Sequence, residues 1–267
     1  MSLAALQQLS ELPRPLYGQQ GSLPNVPIGS WHQHPWTQFS YAADGVLEVD
    51  LKSCRFVAPP RRGIWIPAGT VHRVRCAPGT SIRSLYLAAA TLPSTASHGR
   101  VVEVSPLLRE MICHFSTLPM AYDENGADGR FAGVLLDQLA LAPEVDFAIP
   151  WPRTPLLRRW CRMLQAHPER ATSLGELAAE AGVSEKTLSR RFRQETGLSF
   201  RHWRQRVRLM AALPLLEAGD SVTEVALACG YESISAFIGA FRKQFGCTPG
   251  DYLADSPGVL AMRHGRP

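Results

Sequence analysis

The stretch Ser173–Trp203, SLGELAAEAGVSEKTLSRRFRQETGLSFRHW, is repeated in outline about 49 residues later as Val222–Tyr252, VTEVALACGYESISAFIGAFRKQFGCTPGDY. Ala178 precedes Gly182 by four residues, as Ala226 precedes Gly230. Leu188 precedes Phe192 by four, as Phe237 precedes Phe241, and Gly197 precedes Trp203 by six, as Gly246 precedes Tyr252. The second turn, Gly-Tyr-Glu-Ser, is one residue longer than the first, Gly-Val-Ser. Two copies of one helix–turn–helix pattern predict two similar reading heads on a single chain, and the major groove of double-stranded DNA is the surface such heads fit.

Local chemistry supports each part of the pattern. Ser173 is placed to cap a helix running to Ala181, with Glu176 three residues on as its reciprocal partner. Gly182 supplies the left-handed turn that other residues tolerate poorly, and Ser184 caps the next helix. Leu188 and Phe192, one turn apart, face the core. Lys186, Ser189, Arg190 and Arg193 then lie outward, where Arg and Lys can reach O6 and N7 of guanine. In the second head Val222, Val225 and Ala226 start the pattern, Gly230 turns and Ser233 caps. Burying Phe237 and Phe241 leaves Ser235, Ile238, Gly239 and Arg242 outward. This face is poorer in hydrogen-bonding groups and suits thymine methyls through Ile234 or Ile238, or phosphates through Arg242 and Lys243. Between the heads, Ser199–Glu217 reads as a long helix bearing Arg201, Arg204, Arg206 and Arg208, which Pro214 is expected to kink or break.

With 267 residues, 45% hydrophobic and 19% charged, the chain can form one large or two ordinary packed domains and is unlike a disordered protein. The net charge of +5 is unevenly spread: residues 1–150 carry 11 basic against 12 acidic side chains, residues 151–256 carry 15 against 11, and Arg263 and Arg266 complete the tail. Only Lys52, Lys186 and Lys243 are lysines, so the positive charge is mostly the bidentate guanidinium suited to phosphate and guanine. Six scattered cysteines without a C-x-x-C spacing argue against a disulfide framework and for a reducing compartment. No charged leader or long apolar run is present, so a cytoplasmic protein without membrane contact is expected.

Residues 1–28, with four prolines, read as an arm. Short β-type runs follow at Thr37–Tyr41, Val46–Leu51, Gly63–Ile66, Val71–Arg75 and Ile82–Leu87, separated by turn signals, as in a small sandwich or barrel. Ser105-Pro106 opens a helix with apolar positions at 107, 108, 111, 112 and 115, and a second helix runs from about Asp128 to Leu141. Pro143–Pro155 reads as a linker, and the tail after Pro257 as mobile. The two apolar stripes, the second at 131, 134, 135 and 139, suit either a dimerisation surface or a cover for the open side of the barrel.

Residues 156–254 resemble the DNA-binding domain of the AraC/XylS family of bacterial transcription regulators. The likeness rests on Ser173-Leu-x-x-Leu-Ala178, Ala-Gly182-Val-Ser, Leu188-x-x-x-Phe192-x-x-x-Thr-Gly197, Ala226-x-x-x-Gly230-Tyr-Glu-Ser and Phe241-x-x-x-Phe-Gly246-x-x-Pro249. It implies seven helices, with helix–turn–helix units at about 174–195 and 222–245. By position it assigns base reading to Lys186, Thr187, Ser189 and Arg190 in the first unit and to Ile234, Ser235, Ile238 and Gly239 in the second; the family often has Arg where Gly239 stands. Ser184, Arg193, Ser233, Arg242 and Lys243 are assigned to phosphates. Upstream, His32-Gln-His34-x-x-x-Gln38 and Gly63-x-x-x-Pro67-x-Gly69-x-x-His72 resemble the two motifs of the cupin barrel, with Gln38 where metal-bearing cupins have Glu.

The expected architecture is therefore α+β and multidomain: a cupin-like effector-binding barrel with an arm over 1–98, a helical linker or dimerisation segment over 99–150, and an all-α DNA-binding domain over 156–254. His32, His34, Gln38, His72, Trp36 and Trp65 are expected to form an effector pocket, with Trp31, Phe39 and Tyr41 around it. No cofactor is required, although three imidazoles can hold a divalent first-row metal. The expected function is regulation of transcription without catalysis. Promoter DNA and a small effector are the expected partners, together with RNA polymerase and a second copy of the chain as candidates. The alternative is a metal-dependent cupin enzyme, or a metal sensor, carrying a C-terminal DNA-binding module.

Overall fold

The computed structural model describes residues 11–22, 30–76, 80–88, 91 and 98–254. The expected mobile tail, and the parts of the expected arm at residues 1–10 and 23–28, lie outside them. The chain divides into two compact units, Met1–Leu51 with Phe56–Ala148, and Lys52–Arg55 with Ile149–Pro267.

The first unit is built on antiparallel sheets. Its strands are β1 (Leu16–Ser22), β2 (Thr37–Asp44), β3 (Leu47–Leu51), β4 (Cys54–Ala58), β5 (Arg62–Ile66), β6 (His72–Cys76), β7 (Ser81–Leu87), β8 (Arg100–Glu103) and β9 (Glu144–Val145), and β10 (Ala148–Pro150) marks the passage to the second unit. One sheet runs β1-β7-β2-β5-β8-β9, and in a second β4, β3 and β6 lie side by side. Two sequence expectations are corrected here. The arm contains β1, which pairs with β7 over seven residues from Leu16–Leu87 to Ser22–Ser81. The proline-rich linker contains β9 and β10, and Val101 pairs with Val145. Proline is tolerated at such short edge segments, where no ladder donor is needed.

Two helices cover the outer face of the larger sheet: α1 (Pro106–Phe115), capped by the Ser105 side chain, and α2 (Ala127–Leu141). Leu108, Met111, Ile112 and Phe115 of α1 and Leu135 and Leu139 of α2 join Leu16, Phe39, Tyr41, Trp65, Leu85 and Val102 in one core. Most of both apolar stripes is thus used within the unit, and Leu107, Val134 and Leu141 stay exposed.

Among the described residues the second unit has seven helices: α3 (Pro155–Ala166), α4 (Leu174–Glu180), α5 (Glu185–Thr196), α6 (Phe200–Glu217), α7 (Val222–Ala228), α8 (Ile234–Phe245) and α9 (Pro249–Ala254). Pro214 does not end α6, which runs through it to Glu217, with Ala218 N donating to Pro214 O at 3.0 Å. The break expected there is absent because a proline near the last turn removes one hydrogen bond while Leu213 and Leu216 on either side are fully buried. Arg204, also on α6, is buried and donates to Leu164 O, Pro168 O and Arg170 O, filling carbonyl acceptors where α3 ends. Burial lowers its pKa to about 10. Arg208 donates to Pro168 O at 3.1 Å and lies over the Tyr231 ring. These two arginines of the linking helix thus hold the unit together.

Candidate DNA interface and histidine cluster

The first helix–turn–helix is α4 and α5. Ser173 accepts from Glu176 N while the Glu176 carboxylate accepts from Ser173 N, the reciprocal cap expected from the sequence. Gly182 turns the chain at φ 64°, and Ser184 accepts from Thr187 N to start α5. Leu188 and Phe192 are buried against Leu157, Trp160, Leu177 and Phe200. Lys186, Thr187, Arg190 and Arg193 are exposed, and Ser189 is half-buried. The helix therefore presents a basic, hydrogen-bonding face opposite its apolar one.

The second unit, α7 and α8, repeats this construction, including one element the sequence reading missed. Ser221 and Glu224 form the same reciprocal cap as Ser173 and Glu176. The Ser-x-x-Glu spacing was there to be found one residue before Val222. Gly230 turns at φ 75°, Ser233 accepts from Ala236 N, and Phe237 and Phe241 are fully buried. Ile234, Ser235, Gly239, Arg242 and Lys243 are exposed, and Ile238 is half-exposed.

In the first unit the three histidines do come together. Ring centroids are 4.2 Å apart for His32–His72, 5.1 Å for His34–His72 and 6.1 Å for His32–His34. A short bridge between strand-like segments, with His32 N and His72 N each donating to the other's carbonyl, fixes this approach. Each Nδ1 faces a backbone carbonyl: His32 to Ser30 O at 3.1 Å, His34 to Trp36 O at 2.8 Å and His72 to Thr70 O at 2.8 Å. That pattern places the proton on Nδ1 and the lone pair on Nε2. Burial holds the His34 pKa below its ordinary value and that of His72 down to about 4, so both rings are neutral. Gln38 Oε1 stands 2.9 Å from His34 Nε2, and its amide nitrogen 2.8 Å from Ser40 Oγ. A neutral His34 protonated at Nδ1 needs a donor at Nε2, so the amide satisfies both neighbours when turned over, N–H toward His34 and oxygen toward the Ser40 hydroxyl.

Trp36 stacks on His34 at 5.3 Å and 11°, beside Tyr86 and Tyr17. These two tyrosines and Ser40 were not picked out from sequence, although Ser40 follows Gln38 at strand period and Tyr86 pairs with Gln38 across β2 and β7. Trp65 is a correction. It pairs with Phe39, not with Gln38, and lies with Phe39 and Tyr41 in the core beneath α1 and α2. Alternation along β2 and β5 puts these three aromatics on the face away from Gln38 and Ser40, so they line no common space with the histidines.

The cluster fits a divalent cation. One ligand atom from each of His32, His34 and His72 lies within 4.8 Å of the others, and among the described residues His72 Nε2 is buried without a hydrogen-bond partner.

Two exposed helix faces on a paired helix–turn–helix scaffold define a DNA-binding transcription regulator. Comparison with known proteins agrees. A helix-turn-helix domain family matches residues 177–255 and a cupin domain family matches residues 23–85. The HTH-type transcriptional regulator NimR of Escherichia coli (strain K12) is 33% identical over 225 residues, 84% of this chain and 81% of that protein. The HTH-type transcriptional regulator RipA of Corynebacterium glutamicum is 35% identical over 115 residues, 43% of this chain and 35% of RipA. Among solved structures, the DNA-binding domain of AdpA in complex with a target DNA aligns with 42% of this chain and 96% of that domain, at 37% identity and a TM-score of 0.36. The chain belongs to the AraC/XylS family of bacterial transcription regulators and carries an N-terminal cupin domain. Among the described residues no helix is long and apolar enough to cross a membrane.

Proposed function

We propose that this regulator takes a small effector in its cupin unit and thereby biases the binding of its two helix–turn–helix units to promoter DNA, a coupling typically worth about 1–3 kcal/mol. Residues 1–98 act as the sensor, 99–150 as the coupling segment and 156–254 as the DNA-binding domain. On α5, Lys186, Thr187, Ser189 and Arg190 read bases; on α8, Ile234, Ser235 and Ile238 do so. Ser184, Arg193, Ser233, Arg242 and Lys243 hold phosphates. A homodimer would use Leu107, Val134 and Leu141, the apolar side chains that α1 and α2 leave exposed.

The observation that carries this reading is the division of α5 into a buried Leu188/Phe192 face and an exposed Lys186/Thr187/Arg190/Arg193 face. The test is footprinting of the full-length protein on its own upstream region over a salt series, repeated with candidate small molecules. A protected site of about two major-groove turns, weakening steeply with salt, is expected. Binding that is flat between low and physiological salt would count against it.

A second reading, in which the signal is a divalent metal ion, is favoured by one observation: among the described residues His72 Nε2 is buried and unpartnered, next to His32 and His34. These three side chains would hold the ion by neutral nitrogen donors, and the ion would supply a charged coordination centre when bound. Trp36 O, on Nδ1, would orient His34 from behind, while Gln38, 2.9 Å from Nε2, would turn aside from that nitrogen or join the ion's ligands. Metal analysis of purified protein, with titration of cobalt(II) followed by its visible absorption, tests this reading; no bound metal and no spectral change would remove it.

A further inference from the structure

The two recognition helices share a scaffold but not a chemistry. On α5 the exposed positions are Glu185, Lys186, Thr187, Arg190, Arg191, Arg193 and Gln194, every one able to hydrogen-bond. On α8 the stretch 234–241 reads Ile-Ser-Ala-Phe-Ile-Gly-Ala-Phe, and Ser235 is its single polar side chain. Ile234 is 40% exposed on the first turn. Half-exposed Ile238 follows four residues later, so the two branched side chains stand one above the other on one helix face. Neither fills the core, which Phe237 and Phe241 occupy. Beside them Gly239 has, among the described residues, nothing within 4 Å of where a side chain would begin, so the backbone itself lies open on this face. Further along, Arg242 and Lys243 are exposed and supply positive charge at the last turn.

Two aliphatic side chains and a bare backbone on an otherwise water-facing helix suit an apolar partner. On the major-groove edge of a base pair the C5-methyl of thymine is the one such group. We propose that α8 reads its half of the operator through thymine methyl groups. Ile234 and Ile238 are the specificity-determining side chains, and Gly239 leaves the helix backbone open to close approach by the base edge. The operator is then asymmetric in chemistry, its α5 half set by guanines and its α8 half by thymines. This rests on the assignment of α5 and α8 as recognition helices.

The test uses the full-length protein to select binding sites from a random duplex library. Arg190→Ala marks the α5 half of the selected site, because that variant loses discrimination there. In the other half, thymines are replaced one at a time by deoxyuridine, which removes only the methyl group and needs no protein variant. Affinity is expected to fall about fourfold at each contacted thymine, the worth of one buried methyl group. The Ile234→Ala/Ile238→Ala protein is expected to lose that sensitivity while keeping its α5 preference. Deoxyuridine without effect throughout the half, a half fixed by guanines, or an unchanged thymine preference in the double variant would each overturn the proposal. Ile234 and Ile238 would then belong to a protein contact. Recovery of no preferred site at all would remove the recognition-helix assignment, and the thymine reading with it.

Discussion

Glu195, near the end of α5, caps Thr154, at the start of α3. Its carboxylate accepts from Thr154 N at 2.8 Å, from Thr154 Oγ at 2.5 Å and from Arg153 N at 2.7 Å. Thr154 itself makes no side-chain cap for α3, and a residue about forty positions away accepts from its backbone N–H as Glu176 and Glu224 do from Ser173 and Ser221. The contact fixes the first recognition helix to the helix that opens its domain.

Glu195→Ala should therefore lower the stability of the second unit by about 1–2 kcal/mol, the order of hydrogen bonds lost from a charged acceptor. Urea unfolding of the full chain measures this. Burial pushes the Glu195 pKa up, but the hydrogen bonds from Thr154 and Arg153, with the Arg191 charge, together outweigh it and hold the value below the ordinary 4.5. The stabilisation is thus complete above pH 4.5 and is lost as pH falls through the lower folded value. Glu195→Gln should flatten that acid-side slope; an unchanged slope would show that the carboxylate charge contributes nothing.

On the proposed reading of guanine by Arg190, Arg190→Ala should cost about 1–3 kcal/mol on the selected operator and relax the base preference at one position. Arg193→Ala should instead weaken binding to all sequences alike and reduce the salt slope by about one. Binding isotherms at several salt concentrations separate the two. If Arg193→Ala changes base preference, the division between base and phosphate contacts is wrong.

Gly182 and Gly230 occupy equivalent turns at φ 64° and 75°. Alanine at either carries the left-handed penalty of about 1–2 kcal/mol. A Cβ at Gly182 meets nothing within 4 Å, whereas at Gly230 it would stand 2.7 Å from Glu169 Cα and 2.8 Å from Glu169 O. Those atoms are backbone and cannot swing aside, so Gly230→Ala should cost about 1–3 kcal/mol more. Equal denaturation midpoints for the two variants would contradict the close packing of the second turn.

Gln38→Glu should tighten cobalt(II) binding at His32, His34 and His72 by roughly tenfold or more, the order of effect seen for single changes around metal ligands. His72→Ala should abolish it. Absorption titration gives both values; equal affinity in the Gln38→Glu variant would place Gln38 outside the ion's reach.

The second unit was legible almost residue by residue. Its turns demand glycine, its caps demand serine, and its cores recur at helical spacing, so local chemistry and tertiary role coincide. The first unit was legible only in part. Leu16–Ser22 became a strand through its ladder to β7, a partner about sixty to seventy residues away that no local pattern announces. Trp65 was misplaced because four of the five residues of β5 are buried. With both faces of a strand covered, alternation disappears and hydrophobicity no longer tells inside from outside. Two arginines of the Arg-rich linking helix, Arg204 and Arg208, bind carbonyls within the protein, a role that sequence composition cannot separate from phosphate contact.

Gly239 gives this regulator room to change its vocabulary. A glycine inside a helix forgoes about 1 kcal/mol relative to alanine, and here no neighbouring atom demands it. Any longer side chain at that point could project from the helix without displacing another residue and would make the protein sturdier as it did so. A single substitution could thus hand the second head a new letter of the promoter, leaving the fold and the first head untouched.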